Sequence, residues 1–238
     1  WLSLPGFGTV QPSEFVKPAF VVLAAWMFSE GAKRNGMPGT LLAFLLLPAT
    51  IVPLVLQPDF GQTMLIATVW AGLFYIAGLH VFWVLGLLGA GVTGIGLAYL
   101  FLPHVTARLN RFLDREQTGT TGDTFQVDTA LDSFAAGGWL GRGPGEGSIK
   151  RILPDSHTDF VFSVTGEEFG ILGCLVIVAL FAGILTRAVF RGYHSDDPFC
   201  RFAAAGLGML FGVQAFINMG VNLNLIPPKG MTLPFISY

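Results

Sequence analysis

Apolar residues run in long blocks along this chain, separated by short polar stretches. A helix needs roughly 20 mostly apolar residues to cross a bilayer. Six blocks meet or approach that length: 13–29, 40–56, 62–79, 81–102, 160–187 and 202–222. The second carries Pro48 and Pro53 and is expected to kink. In the fourth, Gly86, Ala90, Gly94 and Ala98 recur every four positions, which predicts a small-residue stripe for close helix packing. The string Gly89-Ala-Gly-Val-Thr-Gly94 in that block matches G-x-G-x-x-G. No strand precedes it and no charge surrounds it, so it is not a dinucleotide site. The pattern predicts an all-α, polytopic membrane bundle, one domain over residues 1–238, with a long outer loop at 103–159. Trp1 in place of an initiator Met, and an apolar run opening at Pro234–Tyr238, lead us to expect a piece of a longer chain.

Composition agrees. Hydrophobic residues make up 53% of the chain and charged residues 12%, against about 25% charged in an ordinary soluble domain. The mean hydropathy is +0.65. The 22 Phe exclude disorder. Two Cys exclude a disulfide scaffold, and no His/Cys spacing suits a structural zinc. A net charge of −2 leaves no basic surface for nucleic acid. Short-loop Lys and Arg set the orientation. Lys33 and Arg34 in one turn, and Arg187, Arg191 and Arg201 in another, share a side if the spans alternate, and that side is cytoplasmic. The loop at 57–59, the loop at 103–159 and the tail after 223 then face outward.

The long loop exceeds the usual length of a connection, which points to function. Val127, Leu131 and Phe134 predict a helix over 124–134. The run Gly137–Gly147 holds six glycines in eleven residues. It lacks the Gly-Lys-Ser/Thr of a P-loop. Two roles fit it: a cradle of N–H groups for a pyrophosphate, or a packed irregular turn. Lys150 and Arg151 follow, then Asp155, His157 and Asp159 at the mouth of an apolar helix. By position alone Asp159 is better read as a helix N-cap than as a reactive group. Glu14 and Lys17 share a helix face. Ionisable groups at membrane depth face a cavity or each other, so the pair marks either a polar cavity open to the outside or a self-satisfied structural contact. Glu167 and Glu168 lie two turns inside the fifth block, or at its interface if that helix starts near 169.

Five motifs occur in order: Gln11-Pro-Ser-Glu-Phe-Val-Lys17; Gln57-Pro-Asp-Phe-Gly61; Gly137–Gly147; Leu153-Pro-Asp-Ser-His-Thr-Asp-Phe160 with Gly166-Glu-Glu-Phe-Gly170; and Pro228-Lys-Gly-Met-Thr-Leu-Pro-Phe-Ile-Ser-Tyr238. Together they resemble the SEDS family (shape, elongation, division and sporulation). Phe-Gly-Gln62 and Gly-Pro-Gly-Glu-Gly-Ser148 favour its FtsW-type branch over its RodA-type branch. The resemblance implies a ten-span protein, of which this chain covers spans four to nine. It also implies a glycosyltransferase that polymerises lipid II into peptidoglycan at the division septum of the bacterial inner membrane. The implied partners are a class B penicillin-binding protein and other division proteins. In the family's pattern Asp159 is the catalytic candidate, and Glu14 and Lys17 line the central cavity. Thr9 stands where some members carry an Arg, so a role resting on that Arg is in doubt here.

The chemistry expected of such a site follows. A sugar hydroxyl is a weak nucleophile and needs a general base, here Asp159. A lipid-linked pyrophosphate leaves as a stable anion and needs charge neutralisation rather than a general acid, unlike the paired carboxylates of glycosidases. Arg142, Lys150, Arg151 and Lys229 are outward cations for that task, with His157 beside the base. No cofactor is required by the motifs, although a Mg²⁺ or Mn²⁺ ion suits a pyrophosphate and a carboxylate. Two rival functions fit the same residues: a lipid II flippase working through the Glu14–Lys17 cavity, and a non-catalytic division scaffold. No inverted repeat supports the flippase.

Overall fold

The computed structural model describes residues 2–4, 8–10, 12–32, 37–56, 59–78, 81–101, 103, 106, 110, 122–154, 156–226 and 230–237. A short antiparallel pair, β1 (Leu2–Leu4) and β2 (Gly8–Val10), opens the chain with Ser3 opposite Thr9. It is an addition to the otherwise all-α expectation. The helices are α1 (Pro12–Gly31), α2 (Gly39–Leu56), α3 (Phe60–Ile76), α4 (Val81–Phe101), α5 (Gly122–Gly137), α6 (Val161–Tyr193) and α7 (Pro198–Asn222). A 3-10 turn at Ile149–Arg151 lies between α5 and α6. Each apolar block therefore forms a helix, and the loop helix is found, longer than 124–134. Among the described residues, α2, α6 and α7 are long and apolar enough to cross a membrane, and Gly61–Ile76 and Gly89–Phe101 form shorter apolar stretches. The chain is a multi-pass membrane protein. The turn carrying Lys33 and Arg34 and the motif residues Gln57 and Pro58 lie outside the described residues.

The chain divides into two compact units, Trp1–Leu85 with Gly183–Val213, and Gly86–Ala182 with Gln214–Tyr238. In the first, Phe28, Trp70, Phe74 and Phe202 are buried. Trp70 stacks on Phe74 at 4.8 Å between ring centroids, and Phe28 lies 6.3 Å from Phe202. The buried Trp70 indole N–H donates to the Ala43 carbonyl at 2.9 Å, so the ring is enclosed without stranding its polar atom. Small residues bring the helices close. A Cβ on Gly39 would collide with the Met27 carbonyl, and one on Gly206 would stand 2.7 Å from Val21 Cγ1. The stripe predicted along α4 behaves differently. A Cβ on Gly86, Gly89, Gly91, Gly94 or Gly96 meets no described atom within 4 Å. Spacing alone registers that the face is small, not that a neighbour covers it.

In the second unit, α6 is interrupted. Gly170 has φ 68° and ψ −167°, a backbone region essentially closed to other residues. At such a break the helical bonds from Ile171 to Glu167 and from Leu172 to Glu168 are lost, and four polar backbone groups need new partners. The glycine-rich loop supplies all four. Arg142 N–H donates to the Glu167 carbonyl and Gly143 N–H to the Glu168 carbonyl, both at 3.0 Å. Ile171 N–H donates to the Gly138 carbonyl at 2.9 Å and Leu172 N–H to the Trp139 carbonyl at 3.3 Å. The fit leaves no room for side chains on the loop. A Cβ on Gly141 would collide with the Glu168 carbonyl, and one on Gly170 would lie 2.5 Å from the Trp139 carbonyl oxygen.

Gly170→Ala is expected to lose stability by about 1–3 kcal/mol from the backbone alone, and more from the collision with Trp139. Gly94→Ala in α4 is expected to be neutral or stabilising, by up to about 1 kcal/mol from helix propensity. Thermal unfolding of both variants in detergent checks the contrast.

Candidate active site

Residues Ser148–Lys150 and α6 build the first part of the site. Glu167 is fully buried. Its Oε1 accepts the Ser148 and Ile149 N–H groups at 2.7 and 2.9 Å, and its Oε2 accepts the Lys150 N–H at 3.0 Å. Three donors on one carboxylate replace its hydration shell, which is the condition for burying a charge. Gly147 permits the approach, since a Cβ there would stand 2.8 Å from Oε2. Arg142 adds a charge at 4.0 Å and donates from Nη1 to the Ser148 hydroxyl at 2.9 Å. Lys150 Nζ is paired with the Glu168 carboxylate. Helix α6 thus begins well before residue 169, at Val161, and Glu167 is enclosed by protein.

These bonds bear on the two roles of the glycine run. The N–H groups of Gly138, Gly141, Arg142, Gly143, Glu146, Ser148, Ile149 and Lys150 all donate within the protein. They are spent on Glu167, on the α6 break and on local turns, which is the packing expected of an irregular turn and leaves these eight N–H groups engaged within the protein.

Asp159 lies half-buried two residues before Val161, the start of α6. The first helical bond of α6 runs from Val164 N–H to the Phe160 carbonyl at 3.1 Å, which makes Phe160 the N-cap position. The first turn is capped from α7 instead. Asn222 Oδ1 accepts both the Ser163 N–H, at 3.1 Å, and the Ser163 hydroxyl, at 2.5 Å. Asn218 and Asn222 also donate from their amides to the Asp159 carbonyl, at 2.8 and 3.0 Å. Asn218 further ties Met231, whose carbonyl it meets at 2.6 Å. Gly230 leaves space for the acid, since a Cβ there would stand 3.3 Å from Asp159 Oδ2. The backbone of Asp159 is fixed by two buried amides. Sequence reasoning missed both, although two Asn at i and i+4 within an apolar helix each require a partner and so signal one.

In the first unit, Lys17 Nζ donates to Glu14 Oε1 at 2.7 Å. Lys17 is 2% exposed and the Glu14 side chain 37%. Gln62, also missed, joins them by donating from Nε2 to Glu14 Oε1 at 3.2 Å. Asp59 sets its place by capping α3 through the Gln62 N–H at 3.1 Å. Gln62 is buried, and its Oε1 has no hydrogen-bond partner among the described residues. The remaining predicted groups sort themselves. Arg151 and His157 are exposed. Gln11, Asp155 and Lys229 lie outside the described residues. Among the described residues no group of three or more His, Cys, Asp or Glu side chains is arranged to hold a Mg²⁺ or Mn²⁺ ion.

Comparison with known proteins places this geometry. The model of the FtsW/RodA/SpoVE family, described as cell cycle proteins, matches residues 1–238. The chain is 48% identical over 238 residues to a probable peptidoglycan glycosyltransferase FtsW of Caulobacter vibrioides, covering all of this chain and 60% of that one. A protein of the same name from Trichlorobacter lovleyi is 37% identical over 248 residues, with 63% of it covered. The chain therefore spans somewhat under two thirds of the length of these relatives. Among solved structures, one from work on coordinated polymerization and crosslinking by a peptidoglycan synthase complex superposes with a TM-score of 0.77 at 26% identity, covering 100% of this chain and 66% of that one. The rod shape determining protein RodA of Thermus thermophilus superposes at 0.61 with 25% identity, covering 96% and 59%.

The Glu14–Lys17 contact is asymmetric, because only the lysine is fully enclosed. Glu14→Ala is expected to cost about 3 kcal/mol by removing a carboxylate partner from a buried ammonium. Lys17→Met, which leaves a carboxylate with access to water, is expected to cost about 1 kcal/mol or less. Equal losses in thermal unfolding would show that the ammonium is hydrated.

Proposed function

The chain belongs to the FtsW/RodA/SpoVE family of cell cycle proteins, and on that premise we propose that it carries the reaction centre of a peptidoglycan glycosyltransferase that polymerises lipid II. Asp159 is the general base. It takes the proton of the acceptor's sugar 4-hydroxyl as that oxygen attacks the anomeric carbon of the donor. The new glycosidic bond forms as the bond from the anomeric carbon to the pyrophosphate oxygen breaks, so the carbon inverts and polyprenyl pyrophosphate departs. The proton is then passed to water. The leaving anion needs cations. Lys150 and Arg142 are engaged with Glu168 and with Ser148 and Glu167, which leaves the exposed Arg151 as the described cation best suited to it, with Lys229 and His157 as further members of the set. Glu14, Lys17 and Gln62 form a polar lining at membrane depth.

One observation carries this reading: the main chain of Asp159 is held by Asn218 and Asn222 while Asn222 caps α6 in its stead. A base must be within reach of its proton in a fixed geometry, and a carboxylate on an immobilised backbone meets that requirement. The relatives' name and the neighbouring synthase complex support the polymerase chemistry. The synthase complex, which joins polymerization to crosslinking, supports a crosslinking enzyme as partner, and a penicillin-binding protein at the septum of the inner membrane is the form of it we propose.

The test uses the full-length protein in nanodiscs with its crosslinking partner. Asp159→Asn is expected to reduce glycan polymerisation from lipid II by about 10²–10⁴-fold, read as loss of polymer on gels, while lipid II binding persists. Full-rate polymerisation by Asp159→Asn would remove the acid from the mechanism. Scrambling of lipid II across liposomes with no polymer from the wild type would replace the polymerase with a flippase.

A further inference from the structure

Glu167 takes no part in the reaction above, yet it is the most completely enclosed acid described in the second unit and has three main-chain donors. Burying a carboxylate is demanding, and an apolar contact of equal shape would hold a loop with less penalty. The segment it grips is therefore informative. Ser148, Ile149 and Lys150 lead into the 3-10 turn Ile149–Arg151, which ends in two cations. Glu168, the next residue of α6, pairs with the first of them, Lys150. Arg142 braces the same turn through the Ser148 hydroxyl. The Arg151 main-chain N–H closes the turn on the Ser148 carbonyl at 3.3 Å, while its side chain is exposed, with no hydrogen bond or ion pair to a described residue. The two adjacent acids thus act on one turn. Glu167 fixes its main chain, Glu168 occupies Lys150, and the charge presented outward is that of Arg151. A guanidinium is planar and matches phosphate oxygens two at a time, so its affinity depends on where the turn points it.

We propose that Glu167 is a positioning residue that locks the Ile149–Arg151 turn so that Arg151 binds the pyrophosphate of the lipid-linked substrate. The proposal rests on the polymerase reading and adds to it the residue that orients its pyrophosphate ligand.

The experiment measures lipid II affinity and the kcat and KM of polymerisation, with full-length protein in nanodiscs. Arg151→Ala and Glu167→Gln are each expected to weaken binding about tenfold, the loss of one contact to a charged group. Because Arg151 also neutralises the departing pyrophosphate, kcat should fall as KM rises, and Glu167→Gln should change the two in the same proportion as Arg151→Ala. Gly147→Ala attacks the same contact from the loop side, since its methyl would stand 2.8 Å from Glu167 Oε2, and it is expected to reproduce the Glu167→Gln phenotype. It carries the test if Glu167→Gln does not fold. The double variant Glu167→Gln/Arg151→Ala should bind no more weakly than Arg151→Ala alone, because the two residues act through one contact. Wild-type affinity in both Glu167→Gln and Gly147→Ala beside weakened Arg151→Ala, or multiplied losses in the double variant, overturns the positioning role alone. A wild-type protein without affinity for lipid II overturns the polymerase reading and the proposal with it.

Discussion

Three main-chain N–H groups converging on one enclosed carboxylate organise the second unit of this protein. The Glu167 contact is strong because it is charged, short and cut off from water, and it is intolerant of partial loss for the same reason. Around it the remaining features fall into place. The turn at 149–151 is shaped by it, Gly147 is small to admit it, and the next residues of α6 break so that the loop can lie against the helix main chain. Loop and helix share one hydrogen-bond system in which the bonds absent at Gly170 are replaced in number and kind.

A division of labour follows among the carboxylates of the second unit. Glu167 is committed to scaffolding and Glu168 to neutralising Lys150. Asp159 stands on a backbone that other residues immobilise. Asn218 and Asn222 hold its main-chain carbonyl, and Asn222 accepts from the first turn of α6 at Ser163. In the first unit, Glu14 faces both Lys17 and Gln62, so a single acid organises two buried polar groups there.

The helices were legible because a span of apolar residues leaves the backbone few alternatives in a bilayer. Their chemistry was legible only in part. The glycine run announced a close approach, but not to what: composition reports permissiveness, whereas the direction of each N–H depends on a partner many residues away in sequence. The break at Gly170 was hidden because a glycine in an apolar run also occurs in intact helices. The depth of Glu167 was undecidable while the start of α6 was open, since a shift of two turns moves that residue from surface to interior. Asn218 and Asn222 were overlooked as two polar letters in a long apolar word, though their spacing places them on one face. The small-residue stripe of α4 is a pattern that meets no neighbour among the described residues.

The interruption of α6 bears on how the chain is made. A helix with a gap in its ladder cannot enter hydrocarbon as a finished cylinder, because its four bare backbone groups would face lipid. The strip that covers them, Gly138–Gly143, precedes the helix in sequence and so leaves the ribosome first. Translation order therefore delivers the splint before the fracture, and completion of α6 becomes a step conditional on a segment that has already been made.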